Sequence, residues 1–367
     1  MGRLHDLHSQ QGQAPWLDNL KRGWITSGEL ERWVERGVRG LTSNPTIFQK
    51  AIADSPDYDE QFGELVGGGL AVEESYWALV SSDIEDALRI LRPVHDASDG
   101  IDGKVSVEVA PSLARDTAGT EAAARHLWST IDEPNLFVKI PGTAEGLPAI
   151  QASIAAGISI NVTLLFSLSR YDEVMEAYVA GLEQLVAGGG DPSQVASVAS
   201  FFVSRVDTNV DRRLDALGTP EAAALKSKAA VANAQLAYQH FLAHFSGPRW
   251  EALAAKGARV QRPLWASTST KEPSLPDTLY VDTLIGPDTV NTLPDGTLAA
   301  FDDHGTIART VDADPDAARA TVAALAELGI DLEDVAVTLE DEGVASFSKS
   351  FDDLLDTLSA KAETLGR

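Results

Sequence analysis

Residues 136–142 read LFVKIPG, a short apolar run with one lysine in its middle. Side chains alternate between the two faces of a β-strand, so the apolar residues at 136, 138 and 140 would share one face and Lys139 would lie on the other. A charged ammonium group buried without a partner is costly, and such an amine tends to lose its proton instead. The run therefore predicts a buried strand that holds a lysine in an enclosed space.

Seven further runs of apolar and β-branched residues alternate with amphipathic stretches of helical period. Eight strands interleaved with helices indicate parallel βαβ units, and eight is the number that closes a barrel. We therefore predict an α/β protein with a (β/α)8 TIM barrel. A doubly wound open sheet is the alternative, and it is disfavoured because no glycine-rich phosphate-binding fingerprint follows the first strand. The other predicted strands are residues 15–19, 38–44, 104–110, 157–165, 195–203, 262–268 and 278–286.

The rest of the chain is assigned around this barrel. We predict one domain over residues 1–367, with an N-terminal segment at 1–14 and a C-terminal helical extension at about 310–367 that packs across the barrel. Residues 207–245 are predicted to be helical, with a break at GTPEAA. The acidic stretches PDGT and FDDHGT (301–306) fit either a metal loop or turns, and we favour turns because Asp and Gly supply turn dihedrals.

The 367-residue chain carries 55 acidic and 29 basic residues, which gives a net charge of −26. Such a surface repels nucleic acid and anionic membranes, so neither is an expected partner, and any phosphate site must be built from local cations. The chain has no cysteine, which excludes disulfides and thiolate chemistry. No apolar run is long enough for a secretory signal or a membrane span, so we expect a cytoplasmic protein. Monomer and homodimer both stay open.

Strand parity places polar side chains inside the barrel, near the carboxyl ends of the strands that form the active-site mouth of such folds. Each alone has an ordinary structural explanation: Lys139, for example, could simply pair with Glu108 or Asp18. A barrel that needs only stability would fill this space with Val, Ile and Leu, so the convergence favours a catalytic site. The inward polar residues are Asp18, Asn44, Glu108, Lys139, Asn161, Thr163 and Ser200.

This set permits carbonyl chemistry by an amine. Removal from water lowers the pKa of an amine, and a free amine attacks a carbonyl to form a Schiff base, which is an electron sink for making or breaking a nearby C–C bond. The reaction needs a carboxylate as proton acceptor, for which Asp18 and Glu108 are available, and a held water, for which Thr163 is available. It needs no metal and no cofactor. The inward set has no histidine, which disfavours a metal-dependent aldolase.

Two separated motifs resemble those of the transaldolase family. GLTSNPTIF (40–48) is similar to its Thr-Ser-Asn-Pro element on the second strand, and LFVKIPGTAEGLPAI (136–150) is similar to the segment that carries its Schiff-base lysine. VEVAP, SINVTLLF and VASFFVSR match in order and spacing, so the resemblance runs from Asp18 to about Ile285. The tryptophan in PLWAST and the chain length resemble the longer subfamily, of the bacterial and plant type.

The resemblance implies an enzyme of the non-oxidative pentose phosphate pathway that works without a cofactor. It would move a dihydroxyacetone unit from sedoheptulose 7-phosphate or fructose 6-phosphate to glyceraldehyde 3-phosphate or erythrose 4-phosphate. By position in the motifs, Lys139 is similar to the Schiff-base residue and Asp18 to the acid/base of the C–C step. Glu108 and Thr163 resemble the water-mediated proton relay.

Further residues resemble groups that bind the substrate's hydroxyls and phosphate. Some members of the family carry a second phosphate-binding arginine after strand seven, where this chain offers WASTSTKE. We predict Lys271 as the second cation, because a phosphate dianion in an acidic protein needs more than Arg205 alone; a solvated loop lysine is the alternative. The substrate-binding candidates are Asn44, Asn161, Ser200, Phe202, Arg205, Ser267 and Lys271.

Two other functions stay open. Small relatives of the family release free dihydroxyacetone from fructose 6-phosphate, and they tend to have glutamine and tyrosine where this chain has Glu108 and Phe202. A phenol could deliver a proton to the carbanionic enamine and a phenyl ring cannot, so Phe202 favours transfer. A non-catalytic barrel that senses sugar phosphates is the second alternative. Lys139 argues against it, since a binding protein has no use for a nucleophilic amine.

Overall fold

Eight parallel strands follow one another in chain order round a closed barrel, which confirms the predicted (β/α)8 fold. The computed structural model describes residues 2–53 and 55–365. The last strand closes the barrel against the first, with Gln13 paired to Thr289 and Leu17 paired to Leu293. All residues of these strands are buried. The strands are β1 (Gln13–Leu17), β2 (Gly40–Thr42), β3 (Lys104–Glu108), β4 (Leu136–Pro141), β5 (Ile160–Leu165), β6 (Ser197–Phe202), β7 (Arg262–Ala266) and β8 (Thr289–Leu293).

Helices follow every strand, and one further helix precedes β1. Local sequence sets several of their starts; Ser167, for example, accepts a hydrogen bond from the backbone N–H of Arg170 and so caps the helix after β5. The helices are α1 (Arg3–Gln11), α2 (Arg22–Thr26), α3 (Glu29–Arg36), α4 (Pro45–Ala53), α5 (Asp59–Gly67), α6 (Val72–Ala97), α7 (Thr117–Ile131), α8 (Gly146–Ala155), α9 (Leu168–Ala187), α10 (Ser204–Leu217), α11 (Pro220–Leu225), α12 (Ala229–His244), α13 (Gly247–Ala254), α14 (Leu279–Asp282), α15 (Asp295–His304), α16 (Pro315–Glu327) and α17 (Leu332–Leu365).

The eighth strand lies later in the chain than the predicted residues 278–286, so that prediction is wrong. These residues contain the short helix α14. Thr278, just before the helix, donates a hydrogen bond from Oγ1 to Oδ2 of Asp282, its last residue, at 2.8 Å. Short apolar runs fit a strand and a buried helix equally well by periodicity. The true strand, TVNTL, is mostly polar. Its two threonine hydroxyl groups are hydrogen-bonded: Thr289 Oγ1 donates to the carbonyl of Gly286 at 2.6 Å, and Thr292 Oγ1 lies 2.7 Å from Thr42 Oγ1.

Two other local predictions have different outcomes. PDGT and FDDH are not turns, because Asp295 begins α15 and the helix continues to His304. The predicted break at GTPEAA is confirmed, since α10 ends at Leu217 and α11 begins at Pro220. A second break, at residues 226–228, separates α11 from α12.

Strand β5 is irregular at its carboxyl end. Its register with β6 shifts between Val162 and Leu165, and Leu164 has a φ of 60°, in the left-handed region that side-chain-bearing residues rarely adopt. Strict alternation predicts Leu164 on the outer face with Val162. In the structure the Leu164 side chain instead points toward α17 and lies against Gly343. The contact is so close that a Cβ added to Gly343 would lie 2.9 Å from Leu164 Cδ2. Thr163 keeps its inward direction.

Helix α17 lies across the carboxyl ends of the strands. It packs against α4, α6, α10 and β5, which lie on different sides of the barrel mouth. The C-terminal helical extension was predicted to pack across the barrel, and α17 takes this position. Nowhere in residues 2–53 and 55–365 does a helix combine the length and apolarity needed to cross a bilayer.

At the amino ends of the strands, a buried carboxylate ties several elements together. Asp102 accepts hydrogen bonds from Arg39 Nε at 2.6 Å and Arg262 Nη1 at 2.9 Å, and His8 Nε2 lies 3.3 Å away. Burial disfavours the charged form, but Arg262, His8 and Arg39 outweigh it and lower the pKa of Asp102. This end of a barrel normally serves stability rather than catalysis.

Candidate active site

A cavity of about 280 Å³ opens at the carboxyl ends of the strands. Residues from most strands of the barrel and from α4 and α17 form its wall. Glu108 and Asn161 lie behind the wall, each hydrogen-bonded to a residue that lines it. The structure therefore brings all the predicted site residues together. Those on the wall are Asp18, Asn44, Lys139, Thr163, Ser200, Phe202, Arg205, Ser267 and Lys271.

Lys139 is only 4% exposed, yet its amine reaches the cavity. Parallel pairing of β3 with β4 sets Glu108 beside it, and Lys139 Nζ donates to Glu108 Oε2 at 2.9 Å and to the carbonyl of Ser43 at 3.3 Å. Burial raises the pKa of Glu108, and the charge and hydrogen bond of Lys139 oppose that rise. The carboxyl group is therefore placed to exchange a proton with the amine.

Asp18 comes directly after β1 and is fixed at both its backbone and its side chain. Its N–H donates to the carbonyl of Leu293 at 2.8 Å, and Thr42 Oγ1 donates to Asp18 Oδ1 at 2.8 Å. Burial raises the pKa of Asp18, while the charge of Lys139 and the hydrogen bond from Thr42 lower it. A carboxyl group with a raised pKa is suited to take and return a proton near neutral pH.

Thr163 presents a buried hydroxyl to the cavity. Among the residues that the structure describes, Thr163 Oγ1 has no hydrogen-bond partner. Buried hydroxyl groups are normally paired, so this one is available to a water or a substrate hydroxyl. The strained backbone of Leu164 directly follows it. Such strain clusters at functional sites.

A chain of hydrogen bonds fixes Ser200 at the cavity wall. Ser200 Oγ donates to Asn161 Oδ1 at 2.7 Å, and Asn161 Nδ2 donates to Ser106 Oγ at 3.0 Å. Asn161 is fully buried. Its amide orients Ser200 in this structure, so its contribution to substrate binding, predicted as direct, stays a prediction.

Two of the predicted cations lie together on one side of the cavity. Arg205 is half-buried above the ring of Phe202, 5.3 Å from its centroid, and makes no ion pair within the described parts of the chain. Lys271 Nζ donates to Ser269 Oγ at 2.7 Å. Burial and the nearby Arg205 lower the pKa of Lys271, and burial lowers the pKa of Arg205. Two unneutralised cations that repel each other are a suitable receptor for a phosphate group.

Lys50 and two residues of α17 also line the cavity, and none of them was predicted from the sequence. Lys50 lines the cavity with Asn44 and Ile47, and a three-residue spacing along the start of α4 could have revealed this shared face. Ser346 and Phe347 also line the cavity, and the Phe347 ring centroid lies 5.8 Å from Lys139 Nζ. No local signal predicts this contact, because it depends on the path of α17 over the barrel.

In the described ranges, no cluster of three or more His, Asp or Glu side chains is arranged to hold a metal ion. The arrangement instead offers an enclosed amine, two carboxyl groups and a cationic patch.

The sequence model of the family described as Transaldolase/Fructose-6-phosphate aldolase matches residues 15–358. A transaldolase from Parafrankia sp. (strain EAN1pec) is 57% identical over 357 residues, covering 97% of this chain and 96% of the relative. A transaldolase from Thermobifida fusca (strain YX) is 55% identical over 361 residues, covering 98% of both chains. A transaldolase from Frankia alni is 54% identical over 361 residues, with 98% of this chain and 96% of the relative covered.

Proposed function

Because the chain belongs to the transaldolase/fructose-6-phosphate aldolase family, we propose that it is a transaldolase whose Lys139 forms the Schiff base. It would transfer a dihydroxyacetone unit from a ketose phosphate to an aldose phosphate. One observation carries this assignment within the family: the Lys139 amine reaches a cavity that Asp18 also lines, with Glu108 at 2.9 Å behind it. Sedoheptulose 7-phosphate or fructose 6-phosphate would be the donor, and glyceraldehyde 3-phosphate or erythrose 4-phosphate the acceptor.

The first half of the proposed reaction joins Lys139 to the ketose. The free amine attacks the ketone carbon, and Glu108 exchanges protons with the adduct through a water held at the Thr163 hydroxyl. Loss of water gives the iminium ion. The Phe347 ring near Lys139 Nζ keeps bulk solvent from this bond.

The second half breaks and remakes the C–C bond. Asp18 accepts the proton of the hydroxyl on C4 of the ketose, whose C2 carries the iminium. The C3–C4 bond breaks, and its electron pair moves into the iminium to give an enamine. An aldose phosphate leaves and the acceptor takes its place. The enamine then attacks the acceptor aldehyde, and Asp18 returns the proton to the new hydroxyl. Water hydrolyses the iminium by the reverse of the first half, which releases the new ketose and frees the Lys139 amine.

The substrate phosphate would bind at the side of the cavity where Arg205 and Lys271 lie. Both partners of the transfer carry a phosphate at the end remote from the reacting carbon, so one cationic patch serves donor and acceptor in turn. In a chain with a net charge of −26, this patch supplies the local attraction that the surface as a whole does not.

Borohydride trapping tests this function. Protein incubated with fructose 6-phosphate and then reduced is expected to gain the mass of one dihydroxyacetone-derived or ketose-derived adduct, located on Lys139 by peptide mapping. Substrate binding without an adduct would instead support a non-catalytic sugar-phosphate sensor.

We expect Phe202→Tyr to raise the release of free dihydroxyacetone relative to transfer. Phe202 lines the cavity and packs on Phe166 with ring centroids 5.2 Å apart, so the added hydroxyl would bring a proton donor to the enamine. The measurement is the ratio of free dihydroxyacetone to transfer product, with fructose 6-phosphate and erythrose 4-phosphate. Phe166→Tyr, which places a hydroxyl on the neighbouring ring behind the cavity wall, is the matched control. An unchanged ratio in Phe202→Tyr contradicts the role given to the phenyl ring.

We expect Thr42→Val to move the acid limb of the kcat/KM profile to higher pH. Asp18 must be ionised to accept a proton, so activity falls as the pH drops through its pKa. The hydrogen bond from Thr42 lowers that pKa, and removing the donor raises it. Thr42→Ser keeps the hydroxyl group and should keep the profile. A shift to lower pH in Thr42→Val would contradict the assignment of Asp18.

We also propose that the barrel and the C-terminal helices form one domain, because α17 packs on helices from several parts of the barrel and completes the cavity wall. A cytoplasmic location fits a cysteine-free chain that acts on sugar phosphates.

A further inference from the structure

A second cleft, of about 440 Å³, opens at the opposite end of the barrel from Lys139. Chain order gives its position, because the residues that line it lie at or just before the amino ends of the strands. Lys104 is the first residue of β3, and the residues that come shortly before β4, β5, β6 and β7 are Pro134, Gly157, Ala196 and Arg259. The transaldolase mechanism uses none of these residues. The basic side chains of Lys104, Arg259 and His95 line this cleft, together with the carboxylates of Asp96 and Asp99.

Lys104 is the most deeply buried of these cations. It is 2% exposed, and its Nζ has one hydrogen-bond acceptor among the described residues, the carbonyl of Pro134 at 3.1 Å. The Phe137 ring lies beneath it, with the centroid 5.3 Å from Nζ. An ammonium group has three donors, so two remain without a protein acceptor. Burial, together with the charges of Arg259 and Arg262, lowers the pKa of Lys104 to about 7.

Two further basic side chains meet beside Gly100. A Cβ built on Gly100 would lie 3.3 Å from both Arg259 Nη1 and His95 Nε2, so these two nitrogens flank one small space that the glycine leaves open. In the described parts of the chain, His95 Nε2 has no hydrogen-bond partner, and the one acceptor near Arg259 is Asp99, at 3.4 Å. The Asp99 carboxylate is fully exposed, so water screens its attraction for Arg259.

The acidic groups of this region are largely paired with other basic side chains. Asp96 accepts from Arg92 Nε at 2.8 Å and lies 3.2 Å from His95 Nδ1. Asp102 is buried among Arg39, Arg262 and His8. Among the described residues, Lys104 therefore forms no ion pair with a carboxylate, while Arg259 has only the fully exposed Asp99 and His95 shares Asp96 with Arg92.

We propose that this cleft is a second anion site, in which Lys104, Arg259 and His95 bind a phosphate group, either inorganic or that of a small phosphorylated metabolite. A phosphate oxygen accepts several hydrogen bonds, and a dianion would give the buried Lys104 amine the charged partner that it lacks and would satisfy its two free N–H donors. The Trp128 side chain and the polar groups of Ser193 and Gln194 line the outer part of the cleft, where the remainder of a phosphate ester would lie. Binding here lies outside the reaction cavity and does not depend on the Schiff-base function.

The test follows the Lys104 amine directly by NMR of protein labelled at the lysine ε-carbon. The Lys104→Met variant assigns the signal. With ionic strength held constant by sodium chloride, inorganic phosphate is expected to move the Lys104 titration midpoint upward by at least about one pH unit, because an adjacent dianion stabilises the ammonium form. Glycerol phosphate in a parallel titration separates an ester site from a site for the free ion.

Matched arginine variants locate the effect. Arg259→Gln should reduce the phosphate-induced shift several-fold, and Arg89→Gln, an exposed arginine on α6, should leave it unchanged. Phosphate bound at the barrel mouth cannot mimic this result, since Lys104 lies at the other end of the strands. A Lys104 signal that does not respond to either phosphate compound, or that responds equally in wild type and Arg259→Gln, overturns the proposal. Either outcome leaves the transaldolase assignment untouched.

Discussion

Lys139→Met is expected to lower kcat for transfer by at least about 10⁴-fold, or roughly 5 kcal/mol of transition-state stabilisation. Methionine fills a similar volume but has no nucleophile, so neither the Schiff base nor the enamine can form. The same variant should lose the borohydride adduct. Coupled assay of transfer from fructose 6-phosphate to erythrose 4-phosphate, together with intact-protein mass after reduction, measures both effects.

The fold of this variant needs its own control. Without Lys139, the buried Glu108 loses its 2.9 Å partner, and an unpaired buried carboxylate is destabilising. We therefore expect Lys139→Met/Glu108→Gln to recover thermal stability relative to Lys139→Met while remaining inactive. Lys349→Met, which removes an exposed lysine of α17, should keep full turnover. Substantial transfer by either Lys139 variant would remove the central residue from the mechanism.

Arg205→Gln should have the second-largest effect, a fall of about 10²–10³-fold in kcat/KM for phosphorylated substrates, mostly through KM. The guanidinium lines the cavity and forms no salt bridge in the described chain, so a bound phosphate would be the first anion paired directly with it. Loss of a charge-assisted pair of hydrogen bonds accounts for roughly 3–4 kcal/mol.

Assay with an unphosphorylated ketose distinguishes a loss of phosphate binding from a general loss of activity. Turnover of fructose at high concentration should be nearly equal in wild type and Arg205→Gln, because neither enzyme gains from a phosphate contact. Arg213→Gln changes an arginine on the same helix that pairs with Asp334 outside the cavity, and it should leave KM unchanged. Equal losses for fructose and fructose 6-phosphate would assign Arg205 to the fold rather than to the phosphate.

Alternation along the strands was enough to predict most of the site. Leu136, Val138 and Ile140 share one face of β4 and Lys139 lies on the other, where it lines the cavity. The same rule places Glu108, Thr163 and Ser200 on the inner side of their strands. Parallel strands in a barrel bring their carboxyl ends to one mouth. Once the barrel was predicted, it followed that these side chains would lie close together.

The failures have local causes. Residues 278–286 have the composition of a strand, whereas β8 itself is mostly polar. The hydrogen-bond partners of its threonine hydroxyl groups come partly from other strands of the folded barrel, and the local sequence does not show them. At Leu164 a left-handed backbone breaks the alternation that parity assumes. Phe347 enters the site from a helix far along the chain, and no spacing within α17 shows where it will dock.

Helix α17 comes after every barrel strand in the chain, so a ribosome makes it later than all eight strands. A nascent chain that has passed β8 already carries the amine, the carboxyl groups and Arg205, but its cavity has no Phe347 above Lys139. Closure of the barrel therefore does not by itself complete the cavity wall, which needs the docking of one late helix.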